Sequence, residues 1–279
     1  MKPFSGVSTA LITPFLNGKV DYVSLEKLVR DQIKRGVQGF VVNGTTAESP
    51  TLHASERREI FQQIKKWVPA KFPLIMGTGS NSTENTIEES KVAEKLGADA
   101  ILVVVPYYNK PPQEGLFQHF KAVADAVSIP VILYNVPGRT VTALELETVK
   151  KLSAHPNIVG IKEASGNITF ARQIREACGK EFILLSGDDA TYDQFMAAGG
   201  DGVISVCSHI IPEAMLHTKA SDYLDLIGAL FIEANPIPVK MALKQLNLIQ
   251  SSELRLPLVA MSAAGTEKLK REMKAKGLL

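Results

Sequence analysis

Eight short apolar runs, each followed by a longer amphipathic stretch, constrain the fold of this chain more than any other feature. The runs lie near Val7–Ile12, Phe40–Asn43, Leu74–Gly77, Ala100–Val105, Val131–Tyr134, Ile158–Lys162, Ile183–Ser186 and Gly202–Val206. Most are unbroken rather than alternating, the habit of parallel strands covered on both faces. Between them Leu25, Leu28, Val29 and Ile33 recur at helical spacing, as do Ile60, Phe61, Ile64 and Val68. Thr142 and Glu145 have the spacing of a capping box ahead of Leu146, Val149 and Leu152.

One joint occurs three times. Gly36-Val-Gln-Gly39 before Phe40, Gly97-Ala-Asp-Ala100 before Ile101 and Gly199-Gly-Asp-Gly202 before Val203 each place a glycine where a helix ends and a strand follows. A glycine there can take the left-handed conformation that closes a helix. Eight strands with helical crossovers predict an α/β fold, a (β/α)₈ TIM barrel. An open doubly wound sheet usually carries a glycine-rich dinucleotide loop after its first strand. Here Thr13-Pro14-Phe15 stands in that place. The barrel is expected over 1–211, with a C-terminal helical extension over 212–279 that is interrupted by Asn235-Pro-Ile-Pro238.

Composition narrows the class. Apolar residues make up 45% of 279 residues, enough to bury a sizeable core and to set aside disorder. The net charge of +2 comes from scattered lysines and arginines, which argues against a nucleic-acid-binding arm. No apolar run reaches the roughly 18 residues that span a bilayer, and the first residues lack a secretory pattern. A cytoplasmic protein is expected. Cys178 and Cys207 are too few and too far apart for a disulfide framework, and the five histidines show no metal-ligand spacing.

In a barrel, chemistry sits at the C-terminal ends of the strands. Lys162 closes the sixth run. Lysine is seldom buried without a partner or a task, and a neutral amine can form a Schiff base with a ketone. Alternatively it reaches solvent or pairs with Glu163. Tyr134 closes the fifth run, where a phenol can shuttle protons or simply line the rim. Arg139 follows in a Pro-Gly loop, and its planar fork suits a carboxylate or a surface ion pair. Thr45 and Thr46 follow a glycine, either to hold a small anion or as ordinary turn residues. Asp188-Asp189 suits a divalent metal less well than a helix cap.

Taken together, Gly44-Thr45-Thr46-x-Glu48-Ser49, Tyr107-Tyr108-Asn109, Tyr134-Asn135-Val136-Pro137-x-Arg139-Thr140, Gly160-Ile161-Lys162-Glu163-Ala164 and Ser186-Gly187-Asp188-Asp189 resemble the dihydrodipicolinate synthase family. The resemblance extends from Phe4 to Leu279 and includes Asn235-Pro-Ile-Pro-Val-Lys240. It implies a class I aldolase-type lyase that condenses pyruvate with aspartate 4-semialdehyde on the route through diaminopimelate to lysine, with no metal or organic cofactor. Lys162 would form the imine and Tyr134 would move protons. Thr45 and Tyr108 would complete a relay, Tyr108 reaching into a neighbouring subunit of a homodimer or homotetramer. Thr46 would hold the pyruvate carboxylate and Arg139 the semialdehyde carboxylate, while Gly187 and Ile204 would shape the pocket through backbone carbonyls.

Three departures from the family pattern stand out. Ala47 replaces a usual glycine, a costly exchange if the position needs positive φ. Asn85 and Arg57 fall where regulated members grip a lysine effector with glutamate and histidine, so weak or absent lysine inhibition is expected. The stretch from Pro212 to Asn235 is shorter than the family pattern. Sister pyruvate lyases, N-acetylneuraminate lyase or a keto-deoxy-sugar-acid aldolase, are the nearest alternative, sharing the lysine and tyrosine but differing at the mouth. A catalytically silent barrel would be marked by loss of that lysine or tyrosine, and both are present.

Overall fold

A computed structural model describes residues 2–279. Eight parallel strands close into a barrel: β1 (Gly6–Ala10), β2 (Gly39–Val42), β3 (Leu74–Gly77), β4 (Ala100–Val104), β5 (Val131–Asn135), β6 (Ile158–Glu163), β7 (Ile183–Ser186) and β8 (Gly202–Ser205). β8 returns to β1 through the pairs Gly6↔Gly202 to Thr9↔Ser205, which closes the ring without an open edge. A two-stranded hairpin, Phe15–Leu16 with Lys19–Val20, follows β1.

Strand parity divides the apolar residues in two. Ala10, Val41, Ile75, Leu102, Ile132, Leu185 and Ile204 fill the barrel interior. Their alternates, such as Phe40, Met76, Ile101, Leu133, Ile161 and Val203, join the larger layer under the helices. Both layers are needed because side chains alternate along a strand and both faces are covered.

The surrounding helices are α1 (Tyr22–Lys34), α2 (Ala54–Trp67), α3 (Thr83–Leu96), α4 (Gln113–Asp125), α5 (Leu146–Ser153), α6 (Ile168–Cys178) and α7 (Tyr192–Ala197). α8 (Pro212–Leu216) follows β8 and packs against β1. The chain continues through α9 (Leu224–Leu230), α10 (Ile237–Gln245) and α11 (Ala263–Ala275), which pack on one another. The joint glycines Gly36, Gly97 and Gly199 have φ of 88°, 77° and 96°, as their position between helix and strand requires.

One local expectation is corrected. Thr142 does not cap α5. Glu145 occupies the cap without a side-chain bond. The carbonyl of Thr142 instead accepts from Thr140 Oγ1, and Gln113 Oε1 of α4 accepts from the Glu145 amide and from Thr148 Oγ1. A neighbouring helix satisfies the first turn, so the capping box is not formed.

Candidate active site

β5 and β6 pair in register, Tyr134 opposite Lys162 and Asn135 opposite Glu163. Alternation then sends Tyr134 and Lys162 to the barrel interior and Asn135 and Glu163 to the helix side. The Lys162 ammonium lies over the Tyr134 ring, 4.4 Å from its centroid. Both residues are 7% exposed. Glu163 is engaged elsewhere: Asn135 Nδ2 donates to it at 2.7 Å and the Ser165 amide at 2.6 Å. Burial pushes its carboxyl above the usual range, against those bonds. The alternative in which Glu163 neutralises Lys162 is therefore closed by strand geometry.

Gly187 follows β7 and donates its amide to the Glu163 carbonyl at 2.7 Å. A Cβ here would sit 2.7 Å from Lys162 Cε and 2.6 Å from Ala164 Cβ. The glycine leaves room for the lysine stem to lie along the strand end. Ile204, on β8, is 1% exposed and packs in the interior layer with Tyr134.

The threonine loop leaves β2 as two single helical turns, Thr45–Ala47 and Ser49–Thr51, joined at Glu48 with φ 56° and ψ 35°. Ala47 is not among the residues of positive φ, so the strain expected at this position is absent. Glu48 carries the left-handed conformation one residue later. Thr46 is 3% exposed, and its Oγ1 accepts from Asn235 Nδ2 at 2.9 Å. Both Glu48 oxygens are used, Oε1 by the Lys240 ammonium and Oε2 by the Arg255 amide at 2.9 Å.

A cavity of about 260 Å³ opens at this end of the barrel, and its wall includes Thr45, Tyr134, Arg139, Tyr107 and Asn43. Arg139 is exposed on a one-turn helix, Pro137–Thr140, at the end of β5. Lys162, Thr46, Gly187 and Ile204 are not part of that wall. Lys162 reaches it through its contact with Tyr134. Tyr108 is not brought to the cavity either. It is 88% exposed with φ 75°. Asp188 accepts from Thr191 Oγ1, and buried Asp189 from the amides of Val206 and Cys207. The pair ties its own loop and the end of β8, not the start of α7 as expected. Among the described residues no three His, Cys, Asp or Glu side chains group as metal ligands, and no helix is long and apolar enough to cross a membrane.

The dihydrodipicolinate synthetase family model matches residues 3–276. The chain belongs to this family. A 4-hydroxy-tetrahydrodipicolinate synthase of Bdellovibrio bacteriovorus is 56% identical with full coverage of both chains. That alignment spans 293 positions against the 279 residues here, so the relative carries residues that this chain lacks. The crystal structure of dihydrodipicolinate synthase from Thermotoga maritima superposes with a TM-score of 0.95 at 42% identity, covering 99% of each chain. A Cyanidioschyzon merolae family member crystallised with lysine bound gives 0.94 at 44% identity with complete coverage of both. The fold and the family agree with the resemblance carried by the five motifs.

The tail motif Asn235-Pro-Ile-Pro-Val-Lys240 and Arg255 beyond it supply contacts that the sequence did not reveal: Asn235 on Thr46, and Lys240 and Arg255 on Glu48. The signal available was a lysine inside the apolar stretch Ile237-Pro-Val-Lys240-Met-Ala-Leu243.

Proposed function

We infer that this chain catalyses the condensation of pyruvate with L-aspartate 4-semialdehyde, the 4-hydroxy-tetrahydrodipicolinate synthase reaction of lysine biosynthesis through diaminopimelate. The observation that carries this reading is the buried Lys162–Tyr134 contact beside a cavity walled by Thr45 and Arg139.

The Lys162 amine attacks the pyruvate ketone, water leaves, and a cationic imine forms. Its nitrogen accepts the electron pair released when a methyl proton departs, so the lysine itself supplies the electron sink. The resulting enamine carbon bonds to the semialdehyde carbon. The substrate's own amine then displaces Lys162 by transimination and the product closes its ring. Tyr134 moves protons during imine formation and breakdown. Thr46 holds the pyruvate carboxylate, and Arg139, at the mouth, pairs with that of the semialdehyde. Gly187 and Ile204 shape the floor.

Thr45 relays protons toward Tyr108 of a neighbouring copy. The exposure of Tyr108 on its own chain supports this arrangement, in a homodimer or a tetramer built from two dimers. A cytoplasmic location and the division into barrel and extension belong to the same reading. A coupled assay supplying pyruvate with either aspartate semialdehyde or, in the reverse sense, N-acetylneuraminate tests it. Turnover of the semialdehyde alone is expected. Cleavage of the sugar acid would assign the chain to a sister lyase.

A further inference from the structure

Lys240 lies in α10, 192 residues after Glu48, yet the two side chains are fully buried against each other. The ammonium also donates to the Glu253 carbonyl at 2.8 Å and sits 4.1 Å from the Phe15 ring centroid. Arg255 covers the same ring at 4.4 Å and makes a two-pronged pair with Glu56 of α2 at 2.6 and 2.7 Å. Glu48 is the hinge between the turn that carries Thr45 and Thr46 and the turn that leads to α2. It holds a left-handed backbone that a glutamate seldom adopts unaided. Asn235, from the same tail, donates to Thr46 Oγ1 at 2.9 Å.

A buried ion pair is weak evidence for stability, since apolar residues of similar volume often serve as well. Burial draws the Lys240 ammonium down to about 8 even beside its carboxylate partner, so the site keeps its charge at a cost. What the pair does achieve is a single geometry for the loop, because Glu48 has both oxygens committed and Lys240 has two fixed acceptors.

We propose that Lys240 is a positioning residue of the active site: by gripping Glu48 it fixes the loop that presents Thr45 and Thr46 to pyruvate. The proposal rests on the reading of the site given above, which is tested separately by whether wild-type protein forms a pyruvate adduct at Lys162.

The test compares steady-state kinetics of Lys240→Met, of Glu48→Gln/Lys240→Met, which leaves no charge unpaired, and of Thr45→Val with and without Lys240→Met. The folded double variant Glu48→Gln/Lys240→Met is expected to lose about 10- to 100-fold in kcat, as a misplaced reacting group does. Its KM for pyruvate should rise several-fold, while the KM for the semialdehyde, read by Arg139 on another loop, stays within about twofold. In the Thr45→Val background Lys240→Met should cost no more than about threefold further, because residues acting through one element are not additive. Wild-type kcat and pyruvate KM in the folded double variant would overturn the proposal. So would fully multiplicative losses, or both KM values rising together. Recovery of only unfolded protein from both Lys240 variants would make the pair a stability element and reject the positioning role.

Discussion

Tyr134 and Lys162 are register partners at the ends of adjacent strands, and the lysine ammonium lies 4.4 Å from the centre of the tyrosine ring. No third group is needed to hold the two side chains together, because the sheet itself sets their spacing. Their order along the chain, one helix apart, follows from a β/α unit rather than from any local motif.

Removing only the phenol oxygen separates packing from proton transfer. Tyr134→Phe keeps the ring under Lys162 and is expected to lower kcat by about 10²- to 10⁴-fold, the range for a lost acid–base group. Circular dichroism and the thermal midpoint should stay close to wild type. A variant that retains full turnover would deny the tyrosine its role.

Gly187 lies against both Lys162 and Ala164. In Gly187→Ala the new methyl would meet Lys162 Cε at 2.7 Å and Ala164 Cβ at 2.6 Å, so the lysine stem and the backbone beside Ala164 must both shift. The rate of pyruvate adduct formation should fall by about 100-fold, in a barrel whose far-ultraviolet circular dichroism is unaltered. Adduct formation at the wild-type rate would show that the stem has free room.

Acid should weaken the fold through two buried histidines. His209 is neutral with both nitrogens used: Nε2 accepts from the Ile12 amide at 3.3 Å and Nδ1 donates to the Val206 carbonyl at 2.8 Å. Burial lowers both His209 and His119 to about 4. Their unfolded forms protonate near 6.5, so below that pH the unfolded chain binds more protons and stability drops until about 4. The loss is up to about 3 kcal/mol for the fully buried His209, at 1.36 kcal/mol per pKa unit, and less for His119. Urea unfolding at pH 7, 5.5 and 4 checks this, and His209→Gln should flatten the decline. An equal slope in that variant would remove His209 from the account.

Feedback by lysine is expected to be weak. A second cleft beside the cavity is lined by Ser49, Arg57, Asn85, Glu88, Glu89 and Tyr107. Arg57 pairs there with Glu89 at 3.2 Å. The Glu89 carboxylate is thus already neutralised and Asn85 offers no charge, which leaves Glu88 on the lining to meet a cationic effector against the positive charge of Arg57. Initial rates should be unchanged by sub-millimolar lysine. Marked inhibition at that level would contradict this expectation.

The barrel was legible because unbroken apolar runs and the thrice-repeated glycine joint are local consequences of covered parallel strands. The positions of Lys162 and Tyr134 at strand ends, and of Arg139 just beyond one, were legible because strand ends can be read directly from such runs. Three things were not. The support of Glu48 by Lys240 joins residues nearly 200 positions apart, and no periodicity encodes it. The conformation of Ala47 depends on its turn continuing into Glu48, so the family's glycine gave no guide to φ here. The start of α5 is satisfied by Gln113 of another helix, which no capping pattern in its own sequence could reveal.

The central claim is that Lys162 captures a keto acid covalently. Incubation with pyruvate and borohydride, followed by proteolysis and peptide mass analysis, tests it most directly. The account predicts one reduced pyruvate adduct per chain, on the peptide containing Lys162, with loss of activity in proportion. Full activity with no adduct, or an adduct on any other lysine, would contradict it.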